Sequence, residues 1–476
     1  MCTRKRKERL LEIKNNLAGS RDWYTRRNLF FHEQDWKYLR HLIPEGVRVL
    51  ELGSNLGDRL VRLKPSCGVG VELSPRMVEL ARAKYPHLEF IVGDIEQKES
   101  LARVQGSFDF IILGDTLGEL EDCQATLDQL HPFCTRDTRL VVTYYSWIWA
   151  PILKLAGWLG MRIPDVEHNW MSTQDIQNLL ALASFETVKN EWRLLFPIKS
   201  FGLGPLINRY IGTLPLIQGL CLRSYVVARS LKSATPRELT TTILIPCRNE
   251  KGNIAAAITR MPRFCQDLEL IFIEGNSQDG TFEECVRVKE ANPLWDIKVF
   301  KQPGRGKGDA VRKGLQESRG EVVMILDADL TVPPEELPKF HQALASGMGE
   351  YINGTRMIYP MSDQAMRFLN FLANRTFSYI FSWLLNQRYT DTLCGVKVLT
   401  RKHFLQIVSM RDFFGNLDPF GDFDMIFGSN KLNLKMLEIP VHYAARSYGK
   451  TQISRFRDGF LLLRMVIVAY RKLKSI

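Results

Sequence analysis

The chain has 476 residues, a formal net charge of +12, and 45% hydrophobic against 24% charged residues. These proportions exclude a disordered or fibrous protein and suit two or three domains, each burying its own core. The positive balance fits nucleic acid, anionic lipid or phosphorylated substrates without choosing among them, but no nucleic-acid recognition motif accompanies it, and nine scattered cysteines with no zinc spacing predict a reducing cytosol and no structural zinc.

Residues 1–43 read as helical. The basic start, Thr3-Arg-Lys-Arg-Lys-Glu-Arg9, runs into a mixed polar helix instead of an apolar segment, so no signal peptide is expected. Val47-Arg-Val-Leu-Glu51-Leu-Gly53-Ser-Asn55-Leu-Gly57 then reads as a strand, a small-residue turn and a helix start, an arrangement that brings backbone close to a ligand. A second strand, Gly68–Glu72, ends in an acid able to accept both hydroxyls of a ribose. Ser74-Pro75 caps a helix, and strands at Leu88–Asp94 and Phe108–Asp115 follow. This alternation predicts a parallel α/β sheet with its ligand beyond the carboxyl ends of the strands.

Glu51-x-Gly53-x-x-x-Gly57, followed by Glu72, Gly93-Asp94 and Phe108-Asp109, resembles the class I S-adenosylmethionine-dependent methyltransferases over about residues 40–231. The resemblance implies a Rossmann-like sandwich. It places Glu51, Gly53, Asn55 and Gly57 at the turn against the methionine end of S-adenosylmethionine, Glu72 on its ribose and Asp94 near its adenine. Asn55 stands where the family usually has a further glycine, and Asn tolerates the left-handed conformation better than most residues.

Beyond a fifth strand at Leu140–Tyr145, Ser146–Met161 holds Trp147, Trp149 and Trp158. Two readings stand for it: a lid or interfacial helix over a large apolar acceptor, or a core helix. His168 in His168-Asn-Trp170 reads as a structural histidine. Glu186–Phe196 and Leu220–Arg229 supply the last two strands. Leu140–Met161, Phe368–Leu385 and Phe460–Tyr470 approach membrane-span length, but each is too short or carries a charge, so interfacial or buried helices are expected in place of spans.

Lys232–Leu239 is polar and contains a proline, which places a linker at 232–239 between an N-terminal helical segment (1–39) with a first domain (40–231) and a second domain (240–476). Thr241–Ile245 reads as a strand broken by Pro246, with Asn249-Glu250 after it. Leu268–Glu274 repeats the design and closes at Asp279-Gly280. Gln302-Pro-Gly-Arg305-Gly-Lys307-Gly308 is a cationic glycine-rich loop opening a helix, where backbone N–H groups with Arg305 or Lys307 can meet a diphosphate. Val322–Leu326 is an apolar strand delivering Asp327-Ala-Asp329. Residues two apart on an extended chain project to one side, so both carboxylates can face a hard divalent cation that also holds phosphate oxygens.

In that order these features resemble the family 2 glycosyltransferases of GT-A fold over about residues 240–450, above all the branch that makes polyprenyl-phosphate sugars. Asp391-Thr-Leu-Cys-Gly395-Val-Lys397, Phe423-Asp424 and Arg446-Ser-Tyr-Gly449-Lys450 match segments of that branch. The resemblance implies that Pro246, Glu250, Glu274 and Asp279 line the nucleotide, that Arg305, Lys307, Arg446 and Lys450 face the donor phosphates, and that Asp327 and Asp329 hold Mg²⁺ or Mn²⁺. Asp422 and Asp424 would orient groups at the reacting centre. Glu274 replaces the usual Asp, Ile426 replaces the glutamate of Phe-Asp-x-Glu, and Thr331 stands where some relatives carry Gln. The expected protein is a bifunctional methyl and sugar transferase of cell-envelope glycan synthesis, cytoplasmic or peripheral on the inner face of a membrane, using a nucleotide-sugar and a polyprenyl phosphate. A small soluble phosphorylated acceptor, or a binding scaffold with one inactive half, are the alternatives.

Overall fold

The computed structural model describes residues 2–163, 168–360, 368–414, 421–446, 448–449 and 455–476. The chain divides into two compact units, Met1–Ala234 with Ser475–Ile476 and Thr235–Lys474.

In the first unit β1 (Arg48–Leu52), β2 (Cys67–Glu72), β3 (Glu89–Val92), β4 (Phe108–Gly114), β5 (Cys134–Tyr145), β6 (Phe185–Arg193) and β7 (Arg223–Ser230) form one sheet of order β3-β2-β1-β4-β5-β7-β6. Neighbours from β3 to β5 pair in parallel, whereas β7 runs antiparallel to both β5 and β6. The wholly parallel sheet expected from the alternation of strands and helices is therefore a mixed one. β7 returns beside β6 without a crossover, and antiparallel neighbours need no helix between them. Both faces are covered: Leu50, Leu52, Val69 and Ile111 pack on one side and Val49, Ile112, Val141 and Tyr225 on the other. Burial on both faces is why these strands read as continuous apolar runs.

The helices place the ends of these strands. Ser74 caps Pro75–Lys84 by accepting from the Met77 N–H at 3.2 Å. The core-helix reading of Ser146–Met161 does not hold, because only Leu153 of the helix Ala150–Trp158 is buried and Trp158 is 83% exposed.

The second unit has a sheet of order β10-β9-β8-β11-β13-β12-β14, formed by β8 (Thr241–Cys247), β9 (Leu268–Glu274), β10 (Asp296–Lys301), β11 (Val322–Ile325), β12 (Tyr351–Thr355), β13 (Lys397–Thr400) and β14 (Met436–Pro440). Strands β8 to β11 are parallel, so the carboxyl ends of β8, β9 and β11 open on one edge. β13 is inserted antiparallel between β11 and β12. Pro246 does not break β8, which continues to Cys247. The β11 pairing ends at Leu244, so the missing N–H of Pro246 falls where no ladder partner remains.

Among the described residues no helix is long and apolar enough to cross a membrane. Phe368–Leu385 buries Phe381, Leu384 and Leu385 and exposes Tyr379, and Arg455–Ala469 buries Leu462 and Met465 and exposes Phe460, so each presents a mixed face.

Candidate active sites

In the first unit the turn after β1 wraps a small cradle. Gly53, Asn55 and Gly57 all have positive φ, and a Cβ on Gly53 would lie 2.2 Å from the Thr116 hydroxyl. Only a glycine fits there. Asn55 takes the left-handed conformation at φ 51°. The buried carboxylate of Glu72 accepts from the Asn55 N–H at 3.0 Å and the Ser74 N–H at 3.1 Å, tying the first turn to the second. These groups and Asp94 fit an adenosine chemically. Across them lies the N-terminal helix Cys2–Leu17, whose Lys7 is 2.5 Å from Asp94 and whose Lys14 is 3.5 Å from Glu72 and 2.9 Å from Glu119. Burial works against the Lys14 charge, but Glu119 and Glu72 outweigh it and hold its pKa above the ordinary value. Between Lys7, Leu10 and Lys14 on one side and Gly53, Asp94 and Thr116 on the other, about 30 Å³ of space remains.

Beneath the turn three carboxylates share two guanidiniums. Arg59 lies 2.9 Å from Glu51 and 3.2 Å from Asp115, while Arg223 lies 3.1 Å from Asp35 and pairs with Asp115 as well. One negative charge is in surplus inside the fold, and burial pushes Glu51 up to about 7 against the pull of Arg59. A carboxyl that holds its proton more tightly when folded contributes stability below its ordinary value of 4.5, and that stability is lost as pH rises through about 7. At about 1.4 kcal/mol per pKa unit the loss is on the order of 3 kcal/mol. Compared with Glu51→Gln, which has no proton to lose, the wild type should drop in melting temperature between about pH 5 and about pH 8. Parallel pH profiles for the two proteins would refute this.

Next to Asp115 a cavity of about 350 Å³ opens, walled by Phe31, His32, Tyr145, Trp149, Ile152 and Leu222. Burial lowers His32 to about 4, so its imidazole is neutral at physiological pH. His168, expected to be a structural histidine, also lines this cavity. His32, Asp115 and Arg223 carry no signal in the sequence, because no spacing links residues brought together from a helix and two distant strands.

In the second unit the three strand ends gather most of the expected groups. Lys307 lies 2.6 Å from Asp327 and 3.7 Å from Asp422, and Lys397 lies 3.1 Å from Asp422. Arg446 reaches 2.5 Å to Asp329 and 3.2 Å to Glu250. The other oxygen of Asp329 accepts from the Thr331 hydroxyl at 2.8 Å. Burial opposes ionisation of Asp327, but Lys307 overrides it and holds the carboxyl below its ordinary value. Burial carries Glu250 up to about 7. Glu274, nearly fully buried, accepts from the Ser277 N–H, and Asp279, just before the next helix, accepts from the Thr281 N–H at 3.1 Å.

Close backbone contact makes this cluster possible. A Cβ on Gly421, at φ 73°, would lie 2.6 Å from the Gly308 Cα, so two glycines let the cationic loop abut the start of the helix Asp422–Lys431. That helix turns Asp424 roughly 200° from Asp422, toward its other side. Ile426 is fully buried in the core, which explains an apolar residue at that position. Pro246 is half-buried within β8 and Arg305 is exposed, whereas Lys450 lies outside the described residues. Among the described residues no group of three or more His, Cys, Asp or Glu gathers to hold a metal. Two acidic oxygen donors one residue apart fit a hard divalent cation whose remaining ligands come from phosphate.

Gly395 has a role the motif alone did not show. A Cβ there would lie 1.8 Å from the Asp327 Oδ2, so Gly395→Ala must push that carboxylate away. Displacement by about 1 Å at a reacting centre costs on the order of a hundredfold. Gly395→Ala should therefore lower sugar transfer by that order with an unchanged circular dichroism spectrum, and full activity would reject the placement of Asp327.

Residues 20–190 match the family described as a methyltransferase domain, and residues 242–405 match glycosyl transferase family 2. The chain joins a methyltransferase domain to a family 2 glycosyltransferase domain. The glycosyltransferase domain is similar to the dolichol-phosphate mannosyltransferase of Saccharomyces cerevisiae, 35% identical over 108 residues, and to that of Pyrococcus furiosus, 32% identical over 107 residues. These alignments span 21% and 22% of this chain and only 40% and 30% of those proteins. Among solved structures, a S-adenosylmethionine-dependent methyltransferase of Thermotoga maritima is 20% identical with a TM-score of 0.36, covering 46% of this chain and 98% of that one. Glucosyl-3-phosphoglycerate synthase of Mycobacterium tuberculosis is 15% identical with a TM-score of 0.37, covering 51% of this chain and 83% of that one.

Proposed function

We propose that the glycosyltransferase domain moves a sugar from a nucleotide-sugar to a polyprenyl phosphate with inversion, and that the methyltransferase domain methylates a related glycan or glycolipid intermediate at the cytoplasmic face of a membrane. The observation that carries the first half is the set of three acids, Asp327, Asp329 and Asp422, interleaved with Lys307, Lys397 and Arg446 at the open edge of the sheet. Its likeness to dolichol-phosphate mannosyltransferases supports the lipid phosphate as acceptor.

Glu250, Glu274, Asp279 and Pro246 line the nucleotide in this reading. Mg²⁺ or Mn²⁺ held by Asp327 and Asp329 would neutralise the departing nucleoside diphosphate. Lys307 and Arg446 stand ready to exchange a carboxylate for a diphosphate oxygen, with the exposed Arg305 on the same loop as Lys307, and Lys450 as a further cation in the sequence of this reading. A lipid phosphate is already ionised and needs no base, so Asp422, paired with Lys397, orients the acceptor in place of taking a proton. In the methyltransferase domain Gly53, Asn55, Gly57, Glu72 and Asp94 would hold S-adenosylmethionine, which supplies an electrophilic methyl group. Neutral His32 on the cavity wall can accept the proton that a hydroxyl or amine acceptor releases.

Calorimetry of the whole chain against S-adenosylmethionine and a panel of nucleotide-sugars, with and without Mn²⁺, tests both halves. Binding of one nucleotide-sugar and of the cofactor is expected, and binding of neither would end the proposal. Turnover that needs a prenyl phosphate separates the lipid acceptor from a soluble phosphorylated one.

A further inference from the structure

Two stretches of the methyltransferase domain leave large apolar side chains in solvent. In the first, Trp147, Leu155 and Trp158 are 57%, 55% and 83% exposed, and in the second Phe201 and Leu216 are fully or almost fully exposed, at 110% and 95%. The stretches lie side by side: the Trp149 indole donates to the Leu220 carbonyl at 2.8 Å, and the Ser146 N–H donates to the Leu222 carbonyl at 2.8 Å. A contiguous apolar surface of this kind marks an interaction site.

Its charge says which kind. Residues 146–163 and 194–222 contain no aspartate or glutamate, but they carry Lys154, Arg162, Lys199 and Arg209. Lys154, Lys199 and Arg209 are exposed among the apolar side chains. A second copy meeting this face through a two-fold axis would set the cations of these two stretches against one another. Tryptophans flanking a short apolar helix, mixed with lysine and arginine, suit the headgroup boundary of a negatively charged bilayer. The cavity beside Asp115 reaches the same face, since Ile152 and Ile198 line it and are 54% and 56% exposed.

We propose that this face of the methyltransferase domain docks on an anionic lipid bilayer, which sets the rim of the acceptor cavity at the lipid surface. The proposal deepens the reading of a peripheral protein that works on lipid phosphates, and rests on it only for the direction in which the cavity faces its substrate.

Flotation of the full chain with vesicles of phosphatidylcholine, alone or mixed with phosphatidylglycerol, is the test. Binding to the mixed vesicles with a blue shift of tryptophan emission is expected. Trp158→Ser combined with Phe201→Ser and Leu216→Ser should lower that affinity about tenfold or more, while the melting temperature stays put because all three side chains stand in solvent. Lys154→Gln with Lys199→Gln should weaken binding to the mixed vesicles by about thirtyfold, at roughly 1 kcal/mol per basic residue, and leave phosphatidylcholine unaffected. Undiminished vesicle binding by the folded triple variant overturns the proposal. So does a wild-type protein that floats with neither vesicle, or a dimer in sedimentation that the triple variant dissolves. Titration of S-adenosylmethionine and nucleotide-sugar in lipid-free buffer reports on the catalytic reading separately, and the triple variant should bind both as wild type does.

Discussion

Asp327→Asn together with Asp329→Asn should lower sugar transfer at least about a thousandfold, or roughly 4 kcal/mol of transition-state stabilisation, while the glycosyltransferase domain stays folded. Asparagine keeps the shape of each side chain and removes its charge, so the change falls on what the carboxylates hold. With both neutral, a divalent cation loses its two anionic protein ligands and the leaving diphosphate loses its counter-charge. Stability should suffer far less. Lys307 keeps Asp422 at 3.7 Å and Arg446 keeps Glu250 at 3.2 Å, so neither cation is left buried alone. Removing one partner of a buried pair costs about 3–5 kcal/mol when the other is stranded, and the remaining partners hold this case well below that range. Thermal unfolding monitored by circular dichroism, beside a radiolabelled transfer assay, separates the two effects. Unchanged turnover would reject the role given to the pair, and a collapsed melting temperature would show that their charge is structural.

The parts of this site legible in the sequence are those that parallel strands deliver in order. Glu250, Glu274 and Asp327 each follow an apolar run, and parallel pairing brings all three to one edge. Gly53 and Asn55 were legible for a similar reason, since a positive φ leaves a compositional trace. Other features left none. The insertion of β7 between β5 and β6 depends on long-range pairing, and Pro246 looked like a strand end because the early end of β11 is invisible from β8. The five charges around Arg59 and Arg223 come from five separate segments, so their surplus of one acid appears only when they are summed in space. Gly395 reads as part of a motif, but its reason, the Asp327 carboxylate 1.8 Å from a notional Cβ, is a fact of packing.

The N-terminal helix is the largest feature that local pattern could not place, and it makes the cofactor site testable through two substitutions of opposite sign. Glu72→Ala should abolish S-adenosylmethionine binding, because the carboxylate ties the two turns together and, in the proposed reading, would hold the ribose. Lys7→Ala with Lys14→Ala should instead tighten it. As folded, the helix leaves about 30 Å³ at the cradle, whereas small-molecule sites offer about 300–1,000 Å³. We expect the helix to move before an adenosine enters the cradle, in which case affinity is reduced by the fraction of molecules in which it has moved. Lys7 and Lys14 hold it shut through Asp94, Glu72 and Glu119, the first two being the acids expected to grip the cofactor. Weakening that closure by about 1.4 kcal/mol raises affinity about tenfold. Calorimetry with S-adenosylmethionine reads both variants without turnover. If the lysine pair weakened binding as Glu72→Ala does, the helix would be a wall of the cofactor site that closes over its ligand, and the two lysines would act as ligands themselves.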